Sequence, residues 1–479
     1  MYKLIFMKAF QILLLLLVFG LTSIAQKKEV KLNNNPIGVF DSGTGGLTVL
    51  EAMLTLDAFN NVTGKPGADG KLDFAGEYYQ YLADQANMPY GNYAAEHKTD
   101  LLKEHILKNM KFFLQQKFVT KENESWISQK KMPVKMIILA CNTATAYALP
   151  EVKKFSQSFS NANFPVVGVI EAGSKAALDY QKKQQGTIGV FATAGTVASN
   201  GYPLTLNAMA KSYGLNNLSI VSQGGVGLAE SIDRDWSYYI DSAKTPRKGY
   251  KGPSYKNENY PIDTALLEMY HFNKSYNQLL CEFDDKGTCT DVQINEPANY
   301  VRYHLVSLLE KMRNNKTAPN APPMNTLILG CTHYPYMKDT IQKVLVELYN
   351  YQKNGNYRYR NVLANKVQLI DPAVETAKAA YVVLHQQQLK NTLLSNKNTD
   401  LSSQFFIAIP NTSLAEASLQ PDGWFTYQYK YGRVAGAEKQ YVQYVPFDTK
   451  NVSLATYDRF KKVLPHIYKK LSGAVIGLK

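Results

Sequence analysis

Residues Met136–Pro150 read MIILACNTATAYALP, and residues Thr326–Met337 read TLILGCTHYPYM. Each stretch is an apolar run that ends in a small residue, Ala140 or Gly330, and then a cysteine. Threonine follows in both, after Asn142 in the first and directly as Thr332 in the second. Short continuous apolar runs suit strands buried on both faces, as in a parallel sheet. The polar residues beyond the cysteine predict the start of a helix. In an open α/β sheet, ligands bind outside the carboxyl ends of the strands. Cys141 and Cys331 are therefore both expected at such an end, where the positive pole of the next helix and nearby donors favour a thiolate.

The same rhythm extends outward. Apolar runs recur at Ile37–Phe40, Val166–Val169, Ile188–Phe191 and Val367–Ile370. Helix-period segments separate them, one of which puts Leu102, Ile106, Met110, Phe113 and Leu114 on a single face. Alternation of this kind predicts an α/β layered fold. At 479 residues the chain can hold two ordinary domains with additions. Three stretches break the pattern: a loop over 57–76 containing GKPGADG, a segment over 231–300 rich in Tyr, Asn, Lys and Asp, and a Tyr-rich tail over 410–479 with Gly423-Trp424. Accessory decoration and a partner surface both fit them.

The hydrophobic fraction of 45% and the charged fraction of 19% describe a globular protein rather than a disordered one. The excess of 53 basic over 39 acidic side chains gives a net +14. There is no dense Lys/Arg block and no nucleic-acid signature, so the charge reads as a basic solvated surface, with no nucleic-acid partner. At the N-terminus, Lys3 and Lys8 precede an apolar run from Ala9 to Leu21, followed by Ser23-Ile24-Ala25. This predicts a signal peptide over 1–25 and a periplasmic or secreted mature protein. The run falls short of the roughly 20 residues of a span; a retained anchor is the alternative. No second long apolar stretch follows, so no stable membrane span is expected after cleavage.

Cys281 and Cys289 flank the polar segment CEFDDKGTC. They close a small disulfide loop in an oxidising compartment, or remain two thiols. Cys141 and Cys331 have three readings: ordinary buried thiols, a structural disulfide, or a matched pair facing one cleft. Their duplicated setting favours the pair. Two thiols have a chemical use. Removing the weakly acidic α-proton of an amino acid requires a placed base and a site that stabilises the carbanion. A base on one face and an acid on the other permit inversion, and equal groups suit mirror-image substrate and product.

Other constellations fit that site. IGVFDSGTGGLTVL, Ile37–Leu50, is a strand ending in Asp41-Ser42 and a Gly-rich turn opening a helix. It lacks the Lys-Ser/Thr of a P-loop and is not G-x-G-x-x-G. Its backbone N–H groups can serve a carboxylate, and Asp41 can hold an ammonium group or assist a cysteine. Pro89-Tyr90-Gly91-Asn92 alone reads as a turn. His333 can poise a thiol or simply bond in the core. The seven histidines show no zinc spacing, so no metal is expected. A cysteine protease would leave the second matched cysteine unexplained.

Taken in order, DSGTGGLTVL, PYGN, CNTATAYALP, GVIEAG, ATAGTV, GCTHYP and LIDPAVETA resemble the motifs of the cofactor-independent aspartate/glutamate racemase family, and of its glutamate racemases in particular. The resemblance runs from about Ile37 to Thr376. It implies two similar three-layer α/β lobes with parallel sheets, related by a pseudo-twofold axis, with the active site between them. The lobes would cover 36–165 plus about 366–409, and 166–365 with the insertion 231–300, leaving 410–479 as an extension. It implies no cofactor, Cys141 and Cys331 as the catalytic pair, and Asp41 and His333 as their assistants. Ser42, Pro89, Tyr90, Gly91, Asn142, Thr143 and Thr332, with Asp41 itself, match substrate-binding positions; Thr193 matches the second lobe's inner surface. The family's acidic residue after Ala-Cys-Pro has no such context here: SQGGVGLAE offers Glu230 as the candidate. Ala172 stands where Pro is usual.

The implied activity is interconversion of L- and D-glutamate for cell-wall D-amino-acid supply, with a small amino acid as ligand and a homodimer as an assembly compatible with the fold. Alternatives are aspartate or a broader substrate range, a related isomerase or lyase, and a secreted binder of acidic amino acids.

Overall fold

A computed structural model describes residues 32–122, 125–159, 164–316, 320–391, 402–414, 416–420, 423–437 and 439–476. The signal-peptide and anchor readings of the N-terminus lie outside these residues. Among the described residues no helix is long and apolar enough to cross a membrane.

All six strands expected from the apolar runs form. The first sheet takes β1 (Ile37–Asp41), β2 (Tyr79–Ala83), β5 (Met136–Leu139), β6 (Val166–Gly168), β15 (Gln404–Pro410) and β16 (Val442–Pro446), in the order β16-β15-β2-β1-β5-β6. Every pairing in it is parallel except β15 with β16. The second takes β7 (Thr187–Ala192), β8 (Ile220–Gly224), β11 (Met324–Gly330) and β14 (Leu363–Ile370), in the order β14-β11-β7-β8, all parallel. Two-stranded pairs are formed by β3 (Lys117–Glu122) with β4 (Ser125–Lys130), β9 (Leu279–Phe283) with β10 (Cys289–Ile294), and β12 (Gln352–Lys353) with β13 (Asn356–Tyr357).

This topology positions the cysteines. β1, β2 and β5 are wholly buried, as their apolar runs require. β1 lies between β2 and β5 with Ile37 opposite both Tyr79 and Met136, so Asp41 and Cys141 emerge at neighbouring strand ends. In the second sheet Gly330 of β11 pairs with Ala192 of β7, which brings Cys331 and Thr193 out side by side. The helices that follow cover the sheets. On the helix Thr99–Leu114 the predicted face is buried at Leu102, Ile106, Met110 and Phe113 and half-buried at Leu114.

The chain crosses between the sheets differently from the linear division. Residues 166–168 edge the first sheet, and Val169 begins the helix Val169–Gln181 instead of ending a strand. β14 edges the second sheet, while β15 returns to the first. The 57–76 loop is fastened by Asp73, which accepts from the Ala58 and Phe59 N–H groups at 2.8 and 3.3 Å. The 231–300 segment buries Ile262, Met269, Phe272, Val292 and Ile294 in the second sheet's core. Cys281 and Cys289 are joined in a disulfide across its β9–β10 hairpin.

The C-terminal tail is the larger surprise. It adds β16 to the first sheet, and its helices Leu454–Val463 and Pro465–Ile476 bury Tyr457, Phe460, Leu464, Ile467 and Leu471 in the core that also holds Ile37, Val39 and Tyr81. Burying such side chains is worth about 1.5–3 kcal/mol each before entropy is charged, so this segment is part of the first lobe.

Candidate active site

Cys141 and Cys331 are both buried, and neither is in a disulfide. The disulfide reading of this pair is thereby set aside for the structure at hand. Their segments meet. Tyr202 lies against Gly330, where a Cβ would stand 2.9 Å from the ring, and its hydroxyl donates to Asn142 Oδ1 at 2.8 Å. One tyrosine thus touches the residue before Cys331 and the residue after Cys141. Gly45, in the turn beyond Asp41-Ser42, packs on the Cys331 segment: a Cβ there would lie 3.0 Å from Thr332 Cβ and from His333 Cε1. Gly91 lies against Gly195, a Cβ on Gly91 standing 3.0 Å from the Gly195 Cα. At Gly91 and Gly195 two backbones approach directly, whereas an added carbon at Gly45 or Gly330 would meet side chains.

The two thiols have unlike neighbours. Cys141 donates to Ser42 Oγ at 3.5 Å, and the Ala144 N–H in the first helical turn points at its sulfur at 3.4 Å. Burial pushes the Cys141 thiol up to about 12, with the Asp41 charge acting in the same direction. It rests as a neutral thiol. Asp41 is itself raised by burial, against the opposing Gly46 N–H, which donates to it at 2.6 Å, and the attraction of His333. Asp41 also interacts with the Cys141 thiol. A carboxyl that is costly to ionise, beside a thiol that is costly to ionise, can pass a proton between them at little cost in charge.

At Cys331, His333 places Nδ1 3.8 Å from the sulfur and 3.5 Å from Thr332 Oγ1, while Nε2 meets Asp233 Oδ2 at 3.0 Å. Burial resists charge on this imidazole, but the Asp233 carboxylate overcomes it and holds His333 well above its ordinary range. Burial likewise opposes charge on Asp233, and His333 and Arg459 bring it below the usual carboxylate range. Both directions agree on an imidazolium–carboxylate pair.

The remaining expected residues sort as follows. Ser42 contacts Cys141, and Thr332 contacts His333. Asn142 and Thr143 are buried in the first turn of the helix Asn142–Phe159. Thr193 caps the helix Ala194–Ala198, accepting from the Thr196 N–H at 3.3 Å. Tyr90 turns its hydroxyl away to Asp84, at 2.6 Å, and the Pro89 carbonyl accepts from Tyr431 at 3.2 Å. What the 89–91 turn offers the cleft is therefore backbone rather than the phenol. Glu230 sits half-buried near His333, with its carboxyl raised by burial, but the carboxylate that bonds His333 is Asp233. That carboxylate lies three positions beyond Glu230, the residue the sequence offered. Arg459, Thr44 and Tyr202 also contact the site's segments; Arg459 and Tyr202 carry no local sequence signal. A separate cavity of about 410 Å³, lined by Thr264, Glu268, Tyr351 and Lys353 among others, shares no residue with this site.

Two α/β sheets, the first parallel except at its β15–β16 edge and the second wholly parallel, each with an unpaired thiol beside a titratable partner at its carboxyl end, define an α/β protein with a duplicated thiol site. Comparison with known proteins is specific. A glutamate racemase of Rippkaea orientalis is 35% identical over 302 residues, covering 62% of this chain and 84% of that protein. The chain belongs to the glutamate racemase family. Among solved structures, a glutamate racemase isoform of Bacillus anthracis matches with a TM-score of 0.44 at 22% identity, covering 78% of this chain and 89% of that one. The Francisella tularensis glutamate racemase in complex with D-glutamate matches at 0.41 and 20%, covering 78% and 88%. No protein-family model matches the chain.

Proposed function

We propose that this protein interconverts the enantiomers of an acidic amino acid, glutamate first, by proton transfer between Cys141 and Cys331 without a cofactor. The observation that carries the reading is Tyr202, which packs on the Cys331 segment and bonds the Cys141 segment and so supports a shared cleft for the two unpaired thiols. In one direction a thiolate takes the α-proton and becomes a thiol. The opposite thiol gives its proton to the other face of the carbanion and becomes the thiolate. The reverse reaction exchanges the roles. Asp41 assists Cys141. His333, oriented by Asp233, assists Cys331. N–H groups of the 43–45 turn and of Tyr90 and Gly91, with Asn142, Thr143 and Thr332, supply donors for the substrate carboxylates. The leader-like N-terminus supports action outside the cytoplasm, where a D-amino acid would be available to the cell wall.

The test is incubation of the reduced protein with single enantiomers in heavy water. Deuterium at the α-position together with loss of optical purity is expected. Cys141→Ser and Cys331→Ser should each abolish net inversion; racemisation at the parent rate by both variants would remove the assignment.

A further inference from the structure

The C-terminal segment does more than complete the first lobe. Arg459, on the helix Leu454–Val463, donates from Nη1 to Asp233 Oδ1 and from Nη2 to Thr44 Oγ1 at 3.2 Å. Asp233 keeps its other oxygen on His333. The same segment grips the turn on the opposite side of the site: Lys430 donates to the Met88 carbonyl at 2.5 Å, Tyr431 to that of Pro89 at 3.2 Å, and Arg433 to Asn87 Oδ1 at 2.8 Å.

We propose that Arg459 is a positioning residue for the Cys331 half of the site, holding Asp233 with one oxygen on His333 and tying it through Thr44 to the turn that carries Asp41 and Ser42. The proposal rests on reading Cys331 and His333 as working groups. Three considerations support it. Arg459 gives one prong to Asp233 Oδ1 and the other to Thr44 Oγ1, so the carboxylate that bonds His333 is tied to the turn that carries Asp41 and Ser42. His333 is surrounded by acid: Asp233 bonds it, and Asp41 and Glu230 lie within electrostatic reach. Arg459 is a cation that offsets that charge, and it is itself half-buried, where screening is weaker. Tyr202, Tyr334 and Tyr336 also face Cys331, but burial keeps all three phenols neutral.

The test alkylates the reduced protein with iodoacetamide across pH and reads Cys141 and Cys331 separately by mass spectrometry. In Arg459→Gln, Cys331 should react about threefold more slowly near neutral pH. Cys141 should stay within about 1.5-fold of the parent. Arg459→Lys restores the charge and should return the Cys331 rate most of the way. Should Arg459→Gln fail to fold, Thr44→Val removes one of the two anchors, and the same Cys331-selective slowing is expected. Equal changes at both cysteines, or none at either, overturn the proposal, as does a Lys variant that recovers nothing. The alkylation comparison requires no turnover, so a parent protein inactive on glutamate would count against the racemase reading while leaving this test to be decided by the same outcomes.

Discussion

Gly45→Ala tests the closeness of the two lobes with a single carbon. The new Cβ would stand 3.0 Å from both Thr332 Cβ and His333 Cε1, with Thr332 Oγ1 nearer still. Ordinary carbon–carbon contact is about 3.5 Å, so the turn and the Cys331 segment must part by roughly 0.5–1 Å. Overpacking of this kind costs about 1–3 kcal/mol. The effect on chemistry should be larger, because the displaced groups would lie on opposite sides of one carbon. A misplacement of about 1 Å can cost 100-fold in rate, equivalent to about 2.7 kcal/mol in the barrier. The assay is kcat for each enantiomer by circular dichroism, with a urea melt to measure stability. Gly432→Ala is the control, since nothing lies within 4 Å of the added carbon there and its φ is ordinary. A Gly45→Ala variant that turns over at the parent rate would show that the Asp41 turn and the Cys331 segment do not work at this separation.

Four further outcomes follow from the electrostatics. With Cys141 at about 12, against 9.0 for an unhindered thiol, its thiolate fraction below pH 9 should be about 1000-fold lower; alkylation without substrate should be correspondingly slow. Because this pKa is raised, the thiol's contribution to stability is complete below pH 9 and is lost as pH climbs toward 12. Asp233→Asn should lower turnover about 10- to 100-fold by releasing His333, whereas Glu230→Gln should change it less than about threefold; the reverse ranking would restore Glu230 as the orienting acid. Lys135 and Glu77 form a pair at 2.6 Å with side chains 0% and 2% exposed, and burial pushes Lys135 down and Glu77 up. Lys135→Met should therefore cost about 3–5 kcal/mol in a urea melt by stranding Glu77, and Glu77→Gln in the same chain should recover part of it.

What the sequence made legible was what local pattern can encode. The runs at Ile37–Phe40 and Met136–Ala140 became strands because an uninterrupted apolar segment has no stable place except between two covered faces. β2, YQYLA, was missed because Gln80 interrupts its run; the structure satisfies that amide with the Met132 carbonyl and Gln404, contacts that only the fold supplies. The tail failed for a similar reason. β16 is a short strand, and the helices after it are apolar only on the face that meets the first lobe. In the site, Cys141, Cys331, Asp41 and His333 were readable because each sits at a strand end or within a few residues of one. Asp233 and Arg459 were not, because their bond joins residues 226 positions apart. No periodicity or spacing announces such a pair.

The unlike surroundings of the two thiols must be reconciled with a reaction whose product is the mirror image of its substrate. In an achiral solvent the two enantiomers have equal free energy, so the equilibrium constant is one. The ratio of kcat/KM values in the two directions is therefore fixed at one, whatever the site does. Placing Asp41 by Cys141 and an imidazolium–carboxylate pair by Cys331 cannot favour one direction under dilute substrate. It can set which thiol carries the proton in the resting protein, and so how tightly each enantiomer is held and how fast the bound form turns over. Cys141 is the resting acid by this account, since its burial makes the thiolate expensive. If the two thiols act as proposed, the enantiomer whose α-hydrogen faces Cys331 is the one whose opposite face a resting Cys141 thiol is placed to protonate. On the same proposal the other enantiomer requires Cys141 to give up its proton first, and Asp41 is the group placed beside it to take that proton.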